Sequence, residues 1–468
     1  MVSFSALLQE GRAPTRREEI SAVLALSWPA IVQQLMLTLV QYIDTAMVGS
    51  LGPNATASVG VVSSSVWLFN GLLGAAATGF AVQVAQHIGA RETERARSVV
   101  RESMLFSLLF GVFMGSAAAA LSFPLPGLLG AEEAIRPDAS AYFLIVGCSM
   151  PFLMAINLMS SLLRCMGDTR TPMLFNITLN ILNTIFNFLL IYEPREASVF
   201  GLRVFLPGAG LGVPGAALGS ALASLLVALL FLRRFLSRDF PLRISLRDRF
   251  RFTRDCLSAM IRIAIPQAMA HTASCGAQIA VTVIVAGLGT QAVAANSLAV
   301  TAEALCYQPG YGVSTAATTL VGQSIGAGRR DLAVRFARVS TLLGMAIMTG
   351  TGLLMFLFAE PLIGMFTPDA DVMRLGASVL RIEAFAEPMF GASIVASGAM
   401  QGAGDSTGCF VLNLVSMWGI RLTLAVLLAP RFGLVGVWFA MCAELCTRGA
   451  LFLLRLARGK WLDKGALA

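Results

Sequence analysis

The chain has 468 residues, 56% of them hydrophobic and 13% charged, and its mean hydropathy of +0.76 excludes an ordinary soluble globular domain. A net charge of +8 suggests a nucleic-acid partner until the basic residues are located: they sit in short connections between apolar runs, without interleaved aromatics, so no nucleic acid is expected. The eight cysteines are dispersed and lack paired metal spacings, which points to buried thiols and no metal site.

The first 21 residues are polar and lack a cleavable apolar core, so 1–21 is expected to be an N-terminal segment outside the membrane. Apolar spans follow at about 22–48, 59–85, 99–123, 139–163, 172–192, 213–233, 263–286, 295–320, 339–359, 376–400, 409–428 and 434–455, each long enough to cross ~30 Å of hydrocarbon. They predict an all-α polytopic membrane protein of twelve transmembrane helices, expected as a monomer in the bilayer. Span 1 carries a lone acid, Asp44, and an ionisable group at that depth is by default functional. Gln34, Gln41 and Asp44 follow at spacings of seven and three and share one helix face. In span 5, Asn176, Asn180, Asn183 and Asn187 recur at four, three and four, a stripe of amides that lipid would leave unsatisfied and that must face the bundle interior. Farther on, Glu303 and Glu387 are the candidate cation contacts of the second half; Glu444 and Arg448, four apart, predict a helical ion pair. The Gly-rich strings 208–212 and 325–328 lack the Lys of a phosphate loop, so no nucleotide and no cofactor is expected.

Lys and Arg concentrate at Arg12 to Arg17, Arg91 to Arg101, Arg164 to Arg170, Arg233 to Arg262, Arg329 to Arg338 and Arg455 to Lys464. These are the termini and the even-numbered connections, so the positive-inside rule places both termini and a linker over 234–262 in the cytoplasm. The linker separates two six-helix bundles, 22–233 and 263–455, followed by a cytoplasmic tail, 456–468. The bundles are repeats at a constant offset of 237: Pro29 with Pro266, Leu51-Gly52 with Leu288-Gly289, VAQHIGA (84–90) with VGQSIGA (321–327), Pro151 with Pro388, and Gly167-Asp168 with Gly404-Asp405. An even number of spans per repeat predicts a pseudo-two-fold axis along the membrane normal, with a cleft between bundles. The repeat is broken in polarity: Val281 stands opposite Asp44, and Met417, Ile420 and Leu424 stand opposite Asn180, Asn183 and Asn187.

RCMGDTRTP (164–172), its partner QGAGDS (401–406), YIDTAMVGSLG (42–52) and the paired VAQHIGA and VGQSIGA loops resemble the multidrug and toxic compound extrusion family over about 25–455. The resemblance implies an antiporter in the bacterial inner membrane that exchanges protons or sodium for organic, often cationic, compounds. It also implies that Asn187 stands where some members carry a second acid, and that Asn183 and Ser220 match polar neighbours of that site. Cys275 and Phe390 stand where other members carry second-bundle acids.

The expected function is cation-coupled export by alternating access. Asp44 is the coupling site, surrounded by Gln41, Asn180, Asn183, Asn187 and Ser220. Gln34, Asn176, Glu303 and Glu387 are expected in the substrate cavity, and Pro29 is where helix 1 bends. One carboxylate among amides favours a proton, with sodium at Asp44 the alternative. A lipid-linked oligosaccharide flippase would call for a more cationic cavity, and a membrane-embedded enzyme for a metal or nucleophile motif; neither is evident in the sequence.

Overall fold

The computed structural model of the chain describes residues 14–199, 202–206, 208–244 and 251–463; Arg12, linker residues 245–250 and Lys464 lie outside them. Helix α1 (Arg16–Gly49) begins ahead of the apolar span because Thr15 caps it. The Thr15 side chain accepts from Glu18 N, while the Glu18 carboxylate accepts from Thr15 N at 2.8 Å, a capping box. Helices α2 (Pro53–Gly89), α3 (Thr93–Leu121), α4 (Arg136–Cys165), α5 (Arg170–Ile191), α6 (Gly212–Leu236), α7 (Arg254–Ala286), α8 (Thr290–Gly326) and α9 (Arg330–Leu357) follow. Helix α10 comes in two pieces, Ala370–Ala384 and Glu387–Gly402. Helix α11 starts at Ser406–Leu414, passes through a π-helical stretch, Val415–Arg421, and continues into Leu422–Arg458. Gly433 (φ 60°, ψ −141°) divides that last segment, so α11 ends and α12 begins there.

The result is the expected all-α architecture of twelve spans. Among the described residues nine helices, with α11 and α12 taken together, are individually long and apolar enough to cross a bilayer; α8 and the broken α10 complete the set. A small antiparallel hairpin, β1 (Arg195–Val199) with β2 (Leu202–Leu206), joins α5 to α6 and has no counterpart at Gly433. Large exposed apolar side chains such as Phe113, Leu108 and Leu109 face outward where lipid would solvate them.

Each bundle has its own apolar core. Phe80, Phe143, Met150 and Phe231 belong to the first and Met348, Leu380, Trp438 and Met441 to the second. The first helix of each repeat crosses over at its start. Ala22, Val23 and Leu26 of α1 pack with Val313, Phe336 and Phe452 of the second bundle, while Cys256, Met260 and Ala264 of α7 join the core of the first. Helix α7 therefore begins at Arg254, inside the stretch read as linker.

The repeated Gly-Asp turns have a local cause. Gly167 and Gly404 adopt positive φ (91° and 92°) and end α4 and α10; the aspartate that follows caps the next helix. Asp168 accepts from Thr171 N and Oγ1 at 3.0 and 2.6 Å, and Asp405 accepts from Gly408 N at 3.3 Å. Asp405 also receives Arg455 Nε at 2.8 Å, with the guanidinium lying over Gly408, where a Cβ would collide with it. The Asp405 side chain is 2% exposed. Removing its partner strands a buried charge, so Arg455→Met is expected to cost about 3 kcal/mol, read as a lower unfolding midpoint of the purified protein in detergent. An unchanged midpoint would show that this pair does not hold the turn.

Candidate functional site

Asp44, half-buried near the end of α1, meets α5 as expected. Asn187 Nδ2 donates to Asp44 Oδ1 at 2.6 Å and to Asn183 Oδ1 at 2.6 Å. Asn183 Nδ2 donates to Ser220 Oγ at 3.0 Å and reaches Asp44 Oδ2 at 3.5 Å. Helix α6 approaches closely because position 219 is glycine, where a Cβ would collide with the side-chain amide oxygen of Asn187. Asp44, Asn183, Asn187 and Ser220 thus form one network beside a chamber of about 460 Å³, which Gln41, Trp67, Asn70 and Tyr142 also line. Asn187 Oδ1 is buried and has no hydrogen-bond partner.

The asparagine stripe does not continue as one polar chamber. Asn180 donates to the Met36 carbonyl at 2.9 Å, tying α5 to α1, and Asn176 turns back to the Pro172 carbonyl of its own helix at 2.8 Å. Where no side-chain acceptor faces an amide, a nearby backbone carbonyl takes its N–H. Asn176 is therefore buried away from the substrate cavity in which it was expected. Helix α1 continues through Pro29 without interruption.

A second cavity, of about 360 Å³, lies between the bundles, nearer the face that carries both termini. Gln34 lines it. Glu303 and Glu387 do not; both are buried inside the second bundle with Glu383, in a cluster that Arg421 and Arg448 also approach. Glu387 opens the second piece of α10 and Arg421 ends the π-helical turn, placements that regular helical spacing does not encode. Arg448 forms the expected ion pair with Glu444, Nε to Oε1 at 3.2 Å, whereas Arg381 pairs with Glu360 at 3.1 Å.

The charges that do line the cavity are Arg164 and Arg448, alongside His271, Gln267, Asn413 and several hydroxyls. The lining is therefore cationic, contrary to the sequence-based expectation. The distribution of basic residues places Arg164 in a connection, but it sits in the last turn of α4. The available signal was Ser160 and Ser161, one turn back, whose hydroxyls accept from its guanidinium at 2.8 Å each. Gln33, which accepts from Arg164 at 3.2 Å and donates to Ser160 at 3.2 Å, is the other residue that spacing alone did not single out.

One turn beyond this cavity, the repeated loops lock the bundles together. Gln86 Nε2 donates to the Gly402 carbonyl at 3.1 Å and Gln323 Nε2 to the Cys165 carbonyl at 2.6 Å, two contacts related by the offset of 237. Thr319 adds a bond to the Arg164 carbonyl at 3.1 Å. The ends of α2 and α8 are so close that a Cβ on Gly89 would strike the Gln323 carbonyl, and one on Gly326 the Gln86 carbonyl. Beside this seam the His87 ring bonds Glu92 at 2.8 Å, which holds the Glu92 carboxyl below its usual range. His87 is buried.

The MatE family model matches twice, over 29–189 and 266–427, and the two matches begin 237 residues apart. The uncharacterized transporter YisQ of Bacillus subtilis is 27% identical over 95% of this chain and 95% of its own length. A probable multidrug resistance protein, NorM, of Thermotoga maritima is 28% identical over 99% of this chain and 97% of its own. Among solved structures, an outward-facing multidrug resistance MATE family transporter of the MOP superfamily superposes with a TM-score of 0.86 at 22% identity, covering 94% of this chain and 97% of that one. The two-bundle fold is thus shared.

Proposed function

The chain belongs to the MatE family, whose members are membrane transporters and not enzymes, and from that premise we propose that it is a proton-driven antiporter that exports small organic compounds. The observation that carries the proposal is the Asp44–Asn187–Asn183–Ser220 network. Ionised Asp44 accepts from the Asn187 amide. On protonation one carboxyl oxygen becomes a donor, and the Asn187 amide carbonyl, buried without a partner, is the acceptor that a small rotation would bring to it. The same pair of side chains can therefore be satisfied in either protonation state by different bonds, which makes the contact between α1 and α5 a two-state element. Pro29, which leaves one backbone bond of α1 unmade, is where the helix would bend in response.

A proton is favoured over sodium because the side chains nearest Asp44 turn N–H groups toward it, whereas sodium requires several oxygens. We assign the face carrying the termini to the cytoplasm of a bacterial inner membrane, from the distribution of Arg and Lys, and the functional unit to a single chain. The expected attraction of cations applies to the chamber at Asp44 and not to the inter-bundle cavity, whose lining charges are both guanidinium groups.

The test uses purified protein in liposomes loaded with norfloxacin, a fluorescent drug that carries both an amine and a carboxylate. Efflux is expected to follow an imposed pH gradient and to stop when a protonophore collapses it. Efflux driven by a sodium gradient alone at constant pH would sink the proton assignment.

A further inference from the structure

We propose that the inter-bundle cavity binds an anionic group (carboxylate, sulfonate or phosphate) carried by the transported compound, and that Arg164 is its partner. This rests on the transporter reading above and specifies its cargo.

Several arginines meet carboxylates: Arg455 meets Asp405, Arg448 meets Glu444, Arg335 meets Glu19 and Arg381 meets Glu360. Arg164 meets none among the described residues. Its three hydrogen bonds go to the neutral oxygens of Gln33, Ser160 and Ser161. These bonds fix the guanidinium plane but cancel none of its charge, and two of the five N–H groups of an arginine are left over. A guanidinium held rigidly with a free edge is suited to take a planar or tetrahedral oxyanion.

The surroundings agree. Among the described residues no carboxylate lines the cavity, and Gln34, Gln267 and Asn413 supply further amide donors. Arg448, on the opposite wall, adds positive charge, although Glu444 behind it shares that charge. Glu303, Glu383 and Glu387 lie deeper in the second bundle, outside the lining. A purely cationic compound entering here would face like charge in a space that water screens poorly, whereas an oxyanion would gain a preorganised partner. The oxyanion can come from a free compound or from a lipid headgroup; both present the same chemistry to Arg164.

Equilibrium binding tests the site independently of transport. Purified protein in neutral phosphatidylcholine nanodiscs is titrated with anionic carboxyfluorescein and with cationic ethidium, read by fluorescence anisotropy. Carboxyfluorescein is expected to bind, with Arg164→Gln weakening it at least tenfold and Arg164→Lys, which keeps the charge without the fork, weakening it less; ethidium affinity should not change. Ser397→Asp, which places an acid in the lining without touching Arg164, should weaken carboxyfluorescein as well and guards against a misfolded Arg164 variant. Displacement of the dye by added phosphatidylglycerol would support the site and identify a lipid headgroup as the source of the anion. Ethidium competing with equal affinity, or carboxyfluorescein binding unaltered in both variants, would overturn the proposal. Failure of the antiporter reading would appear separately, as binding without gradient-driven efflux.

Discussion

Replacing Asp44 by Asn is expected to abolish gradient-driven export, a loss on the order of 100-fold or more, as when a positioned proton-transferring group is removed. Asparagine keeps the size of the side chain and an oxygen able to accept the Asn187 amide that now donates to Asp44 Oδ1 at 2.6 Å, so the fold should persist. What disappears is the ability to change charge. The variant should still bind cargo, and whatever residual flux it supports should no longer vary with external pH, because no group in the network can exchange a proton with the medium. Asn187→Ala should fall between the two, since Asp44 remains titratable but loses its shortest hydrogen bond. Parental efflux by Asp44→Asn, at parental expression, would remove Asp44 from the mechanism.

The second large effect is expected at the seam between α2 and α8. Gly89→Val or Gly326→Val places side-chain carbon where the partner helix has a backbone carbonyl, and backbone cannot move aside as the end of a flexible side chain can. Overpacking of this kind typically costs ~1–3 kcal/mol, and here the cost falls on the conformation closed at the termini face. The bonds from Gln86 and Gln323 across the seam would be stretched in the same step. A penalty near 1.4 kcal/mol shifts the population about tenfold, toward conformations in which the bundles part on that side. Cys165 reports on it: the residue is 5% exposed and its carbonyl accepts the Gln323 bond. Labelling of Cys165 by a water-soluble maleimide, resolved by mass spectrometry, should accelerate about tenfold. An unchanged labelling rate with parental transport would mean that the seam does not govern access.

Much of the candidate coupling site was legible because its signals are local. Asp44 stands out by the cost of a charge in an apolar helix, and Asn183 and Asn187 share a helix face by spacing alone. Asn176 and Asn180 carry the same spacing, yet they bond backbone carbonyls. Period tells which residues share a face, but which acceptor each one meets depends on the neighbouring helix. Glu303 and Glu387 were misplaced for a related reason. Glu387 opens the second piece of the broken α10, off the register of a regular helix, whereas Glu303 sits in α8 and is buried against its own bundle, which spacing along α8 does not reveal. The cavity expected around these acids is instead lined by arginine.

By itself the sequence determined the class, the span count, the internal repeat and the unequal polarity of its halves, because hydropathy, helical period and a constant offset are written along one dimension. Tertiary structure decided that α1 and α7 begin against the opposite bundle, that the two VAQHIGA-type loops lock across the pseudo-axis, and that Arg164 faces a shared cavity with no carboxylate partner among the described residues. These are contacts between residues more than a hundred positions apart, fixed by how closely glycine-bearing helices can approach, and no local pattern in the chain records them.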